Sequence, residues 1–116
     1  MIEVRGIARL KIHPGKLDDF KRLSAQCMES VRTKDTGTLQ YELYINDEQT
    51  ECIALESYRD FDALREHLAN LGDLMEAMQE VCTIVGEILT TPTPELRKAF
   101  EGLPIGIYSP FRSLRE

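Results

Sequence analysis

Residues 38–58 read TLQYELYINDEQTECIALESY, and this stretch decides the fold. Leu39, Tyr41, Leu43 and Ile45 recur at every second position, as do Cys52, Ala54, Glu56 and Tyr58 against Ile53 and Leu55. A period of two belongs to a strand, whose successive side chains point to opposite faces. Asn46-Asp47-Glu48-Gln49 between the two runs is a short polar turn, so they form an antiparallel hairpin. Residues 2–12 show the same period: Ile2, Val4, Gly6, Ala8, Leu10 and Ile12 share one face, and Glu3, Arg5, Arg9 and Lys11 the other.

Pro14-Gly15 breaks that first strand, and from Lys16 the period changes. Leu17, Phe20, Leu23, Cys27 and Val31 follow helical spacing, with Asp18-Asp19 in the first turn, where carboxylates complement the helix dipole. Gly37 marks the far side of this helix's end. After the hairpin, Asp60 is a candidate N-cap for a second helix carrying Phe61, Leu64, Leu68 and Leu71. Gly72-Asp73 interrupts it, and Leu74, Ala77, Met78 and Val81 resume helical spacing, so the helix is expected to kink. Residues 82–90, with Ile84, Val85, Ile88 and Leu89, read as a fourth strand. The order is βαββαβ, a ferredoxin-like α+β domain over residues 1–90 with an antiparallel sheet and both helices on one face.

Residues 91–116 form an extension. Thr91-Pro92-Thr93-Pro94 is a stiff connector, with Thr93 placed to cap a short helix and Pro94 at its first position. Gly102 and Pro104 close that helix. Ile105, Ile107, Tyr108 and Phe111 follow, too apolar to hang in water, so the tail is expected to pack on its own domain or on a partner subunit. The sheet's second face mixes Ile7 with charged neighbours and is expected to be covered in a homodimer.

At 116 residues the chain has the size of one domain, and a charge of −6 without any Lys/Arg run argues against nucleic acid as a partner. No apolar stretch is long enough to span a bilayer, and the first residues lack a signal peptide's apolar core, so a cytoplasmic protein is expected. Cys27, Cys52 and Cys82 are too far apart for a CxxC pair and read as small, reduced core residues. There is no phosphate-cradling Gly loop, nucleotide fingerprint, Ser-His-Asp set or metal-ligand cluster in the sequence.

The runs Tyr41-Glu42-Leu43-Tyr44, Leu55-Glu56-Ser57-Tyr58 and Ala63-Leu64-Arg65-Glu66-His67-Leu68 resemble the antibiotic biosynthesis monooxygenase superfamily, its small quinol-monooxygenase-like members above all. The resemblance spans about residues 4–90. It implies a dimeric α/β barrel with a pocket between each sheet and its helices. It also implies oxidation of phenolic or quinol-type aromatics by dioxygen, in some members without any cofactor. Two positions depart from the pattern: Tyr58 stands where Trp is usual, and Gly72 where a second His is often found. Haem degradation, known in the same fold, depends on a Trp and a His that this chain lacks, and ranks last; the chain's other histidine is His13.

His67 lies at the border of the second helix's apolar face, able to point between helix and sheet. An imidazole can take a phenolic proton near neutral pH and return it, and cofactor-free oxidation first needs the substrate anion. The bland alternative is a helix histidine holding a backbone carbonyl. Glu56 shares a strand face with Cys52, Ala54 and Tyr58, where it could orient His67 or take a proton, or simply pair with an arginine. Tyr41 and Tyr58 are candidate substrate contacts, or core; Met75 and Met78, with Met28, suit a soft lining for a flat apolar ligand. Arg5 and Arg9 could meet an anionic group or only solvate a sheet face. The expected activity is cofactor-independent monooxygenation of a small aromatic, quinol or polyketide-like molecule, with no metal. The alternative is a non-catalytic small-molecule binder on the same fold.

Overall fold

The computed structural model of the chain describes residues 2–115. Val4–Ile12 forms β1 and Leu17–Lys34 forms α1; the hairpin follows as β2 (Thr38–Ile45) and β3 (Glu51–Tyr58). The second helical stretch is two helices, α2 (Phe61–Leu71) and α3 (Asp73–Val81), and Cys82–Leu89 forms β4. The break falls at Gly72, whose φ of +50° closes α2 in a conformation that side chains with a Cβ rarely adopt. Asp60 caps α2 as expected, its carboxylate accepting the Ala63 N–H at 2.9 Å.

The sheet order is β2-β3-β1-β4-β5, with β1 antiparallel to both β3 and β4. The fifth strand corrects the expected all-antiparallel sheet. After β4 the chain crosses through α4 (Pro94–Ala99) and returns as β5 (Ile105–Tyr108), which pairs parallel to β4. A strand reached through a helical crossover returns in the same direction, whereas a hairpin reverses it. Thr93 caps α4 by accepting the Leu96 N–H at 3.2 Å, and Leu96 and Phe100 sink into a cluster with Val4, Tyr58, Leu64 and Ile88. The extension therefore packs on its own chain, although Phe111, expected to be covered, is 81% exposed in the single chain.

A second correction concerns β2. Its register against β3 slips between Thr38, opposite Tyr58, and Gln40, opposite Ser57, so Leu39 is the extra residue of a bulge. Leu39 is 61% exposed and does not share Tyr41's buried face; Ile45, at the last position of this edge strand, is exposed as well.

Gly37 is needed for a different reason from the one its position suggests. Its φ is not in the left-handed region, and a Cβ there would lie 2.5 Å from the Ala63 Cβ. The loop after α1 thus lies directly against α2, and this close approach builds the site. The main core lies between the sheet and α1 and α3, around Phe20, Leu23, Cys27, Cys52, Met78 and Val81. Among the described residues, no helix is long and apolar enough to cross a membrane.

Candidate active site

A cavity of about 140 Å³ lies between the sheet's inner face and the helices. His67, Glu56, Tyr41, Tyr58, Met75 and Met78 all line it, whereas Met28, named with them as lining, does not. Most of the remaining wall is apolar, with Leu10, Phe20, Leu43 and Ile88 from the core and Phe100 and Ile105 from the extension. His67, Glu56, Tyr41 and Tyr58 gather at one corner.

His67 reaches that corner from α2 and is only 2% exposed. Its Nδ1 lies 2.8 Å from Asp35 Oδ2. Asp35 follows α1 directly, and its side chain is also fully buried. The carboxylate accepts further hydrogen bonds from Thr38 Oγ1 at 2.7 Å and Asn70 Nδ2 at 2.9 Å. Burial pushes the Asp35 carboxyl up, but the hydrogen bonds from Asn70, Thr38 and His67 outweigh it and hold the group below its ordinary value. An ionised carboxylate only accepts, so Nδ1 carries the hydrogen and Nε2 is the ring nitrogen left to exchange a proton with the cavity. Nε2 faces Glu56, 4.0 Å from its Oε1. The rings of Tyr41 and Tyr58 flank the imidazole at centroid distances of 5.3 and 5.2 Å, both tilted.

Glu56 sits on β3 opposite Tyr41 and accepts the Tyr58 hydroxyl hydrogen. It is paired with no arginine among the described residues, and it does not orient His67, which was one expectation; that role falls to Asp35, on the other side of the ring. Burial, followed by the neighbouring Glu56 charge, raises the pKa of both Tyr41 and Tyr58. Both phenols therefore stay protonated near neutral pH and act as donors. Two acceptors remain at the corner: Nε2 of His67 and the Glu56 carboxylate.

Asp35, Thr38 and Asn70 were not anticipated from the sequence. Asn70 lies three residues after His67, a spacing that puts two side chains on one helix face. Asp35 carried no signal, since an Asp past a helix end reads as ordinary loop. Its placement depends on Glu66, whose carboxylate accepts the Thr36 N–H at 2.7 Å and the Thr36 hydroxyl, tying the loop to α2. Those bonds lower the Glu66 pKa.

Arg5, Arg9 and His13 lie elsewhere, whereas Cys27 and Cys52 contribute to the cavity wall. Arg5 and Arg9 project from the opposite sheet face, where they pair with Glu3 and Glu87. His13 lies outside the cavity, with Nε2 3.0 Å from the Thr83 hydroxyl and Nδ1 3.2 Å from the Glu80 carbonyl. Cys27, Cys52 and Cys82 are buried free thiols with pKa values raised by burial, Cys82 to about 11.

Several solved structures share this fold. MupZ from Pseudomonas fluorescens superposes with a TM-score of 0.84 at 20% identity, covering 97% of this chain and 93% of that one. That breadth takes in the extension with α4 and β5. Rv0793 from Mycobacterium tuberculosis gives a TM-score of 0.67 at 25% identity, over 78% of this chain and 95% of its own. SnoaB from Streptomyces nogalater, a cofactor-independent oxygenase, gives 0.67 at 21% identity, over 80% of this chain and 96% of its own. None of the curated protein sequences matches the chain. The sequence profile described as antibiotic biosynthesis monooxygenase matches residues 4–81, more than half of the chain, with β1, the hairpin, His67 and Asp35 all inside it. The chain belongs to the antibiotic biosynthesis monooxygenase family.

Proposed function

We propose that the protein is a cofactor-independent monooxygenase that oxidises a small aromatic or quinol-type molecule with dioxygen, His67 serving as the base. The observation that carries this reading is the buried Asp35–His67 pair, whose bare Nε2 faces an apolar cavity beside Glu56. A substrate hydroxyl placed against Nε2 gives up its proton, and the imidazolium that forms is stabilised by the Asp35 carboxylate 2.8 Å away. The resulting anion is electron-rich enough to pass an electron to dioxygen, and the apolar walls keep out water that would stabilise the anion and slow that transfer. For an activated ring CH₂ the overall change is oxidation to C=O by one dioxygen, the second oxygen atom leaving as water. Tyr41, as a neutral phenol, is placed to donate a hydrogen bond to a substrate oxygen, while the Tyr58 hydroxyl is held by Glu56; Met75 and Met78 are placed to pack on the ring. SnoaB, an oxygenase on the same fold, adds support by analogy only.

A second reading is favoured by one specific observation. Two proton acceptors and a phenolic donor converge within one corner, Nε2 and Oε1 only 4.0 Å apart. That set suffices for a proton-transfer isomerisation needing no oxidant.

Oxygen uptake by the purified, metal-free protein with a panel of hydroquinones and anthrone-like phenols, beside His67→Ala, separates these readings. Uptake above the spontaneous rate that disappears with His67 supports the oxygenase. Conversion of substrate without oxygen uptake or mass change favours isomerisation, and no conversion by a well-folded protein favours a binding module.

We also propose a homodimer joined through the outer sheet face. Tyr44, Ile53, Val85 and Leu89 stand exposed there around the Arg9–Glu87 pair. An apolar sheet face of this kind is usually covered. Sedimentation analysis of wild type and Ile53→Glu tests this, with dissociation expected in the variant.

A further inference from the structure

From the charges around the cavity we infer that the site is selective for uncharged ligands: it takes a neutral molecule about one ring across, with an O–H or N–H donor at one end, and rejects the corresponding carboxylate. This deepens the proposed function and rests on the cavity being the substrate site.

Three observations lead there. The first is charge. Asp35 and Glu56 flank the His67 ring on its two sides, and among the described residues lining the cavity there is no lysine or arginine. The arginines nearest in the sheet, Arg5 and Arg9, point to the other face and are already paired. An anionic ligand would enter this corner against the Glu56 carboxylate with no cation to receive it, and it would have to shed its hydration in an apolar cavity.

The second is hydrogen-bond polarity. Asp35 holds the hydrogen on Nδ1, so Nε2 offers a lone pair to the cavity, and Glu56 offers another acceptor. Two acceptors side by side, with Tyr58 already donating to Glu56, suit a ligand O–H or N–H, whereas a carboxylate has only lone pairs to present and finds the Tyr41 hydroxyl as its one phenolic donor.

The third is size. About 140 Å³ is close to the ~150 Å³ of an engineered apolar cavity that stays dry and takes up benzene. A ring with one small substituent at each end fills it.

The test uses binding without turnover, under anaerobic conditions at neutral pH, followed by calorimetry or by ligand-observed NMR. Three probes are compared: 4-methylphenol, 4-methylbenzamide and 4-methylbenzoate. The last two have nearly the same shape and differ in charge. Binding of 4-methylphenol and of the amide is expected, with the carboxylate at least about ten-fold weaker than the amide, as befits facing a like charge. Glu56→Gln is expected to narrow the amide–carboxylate gap. The wild-type comparison stands even where that variant folds poorly. Equal or tighter binding of the carboxylate by wild type overturns the inference, and so does failure of both neutral probes to bind. Because no oxygen is present, the outcome is separate from the oxygenase reading. Preference for the carboxylate in a protein that still consumes oxygen removes the selectivity alone, whereas neutral-ligand binding with no oxygen uptake removes the oxygenase alone.

Discussion

Replacing Asp35 by Asn should disable His67 without moving it. The amide keeps the shape of the carboxylate but carries two N–H donors, and its single oxygen cannot serve His67, Thr38 and Asn70 together. His67 and Thr38 share Oδ2 whereas Asn70 takes Oδ1, so an amide whose oxygen keeps the Asn70 bond puts its NH₂ where Oδ2 stood and turns an N–H toward Nδ1, with the Thr38 hydroxyl rotating to accept the other. The imidazole then accepts at Nδ1 and carries its hydrogen on Nε2, pointing at Glu56 4.0 Å away. A base with its lone pair facing the wrong way cannot take the substrate proton, and general-base catalysis is worth about 10²–10⁴-fold, so kcat should fall by that factor. Three charge-assisted hydrogen bonds become neutral ones, which lowers stability by about 1–2 kcal/mol. Asp35→Ala, which leaves the buried His67 N–H without any partner, should cost more, about 3 kcal/mol. Urea unfolding reads the stability, and oxygen uptake reads the rate. Histidine ¹⁵N shifts read the tautomer directly, with His13→Gln assigning the signal. Asp35→Asn protein that keeps both the Nε2 lone pair and the wild-type rate would refute the reasoning, because the carboxylate would then not be setting the tautomer.

The other predictions follow from the same geometry. The Asp35 carboxyl has a depressed folded-state pKa, so its stabilising contribution is fully present above the unfolded value of about 3.9 and is lost as pH falls through the lower folded value. Acid unfolding of wild type should therefore steepen below about pH 4, and Asp35→Asn should be flatter in that window. Gly37→Ala forces a methyl to within 2.5 Å of the Ala63 Cβ, so α2 must move, and urea unfolding should show a loss of about 1–3 kcal/mol. Leu96→Ala empties a position that is 2% exposed beneath the extension and should cost about 2–5 kcal/mol, with faster proteolysis between residues 91 and 104. All three cysteines are buried with raised pKa values, so iodoacetamide at pH 8 should label them slowly in the native protein and promptly in urea.

What could be read from the sequence, and what could not, divides by the range of the interaction. The strands of the hairpin, the Asp60 and Thr93 caps and the break at Gly72 depend on side chains within a few positions of one another, and a linear pattern records such relations. His67 and Glu56 were legible for the same reason, each by its phase on one helix or one strand. Asp35 lies 32 residues from His67, and nothing in its own neighbourhood distinguishes it from a polar residue closing a helix. What makes it part of the site is the approach of its loop to α2, and that approach is written in Gly37, where the glycine's missing Cβ was the clue but read locally as a helix stop. The bulge at Leu39 was hidden because a one-residue slip leaves the alternation of Tyr41 and Leu43 intact while turning its predecessor outward. The fifth strand was hidden by its length: four residues, two of them only partly buried, do not establish a period. One point joins these misses. The bulge lies beside Thr38, Thr38 bonds Asp35, and the fifth strand carries Ile105 into the cavity wall, so the features least visible in the sequence are those that close the polar corner and its walls. A glycine or a strand irregularity next to a polar residue with no local purpose is therefore a better pointer to a buried partner in this fold than the residue's own type.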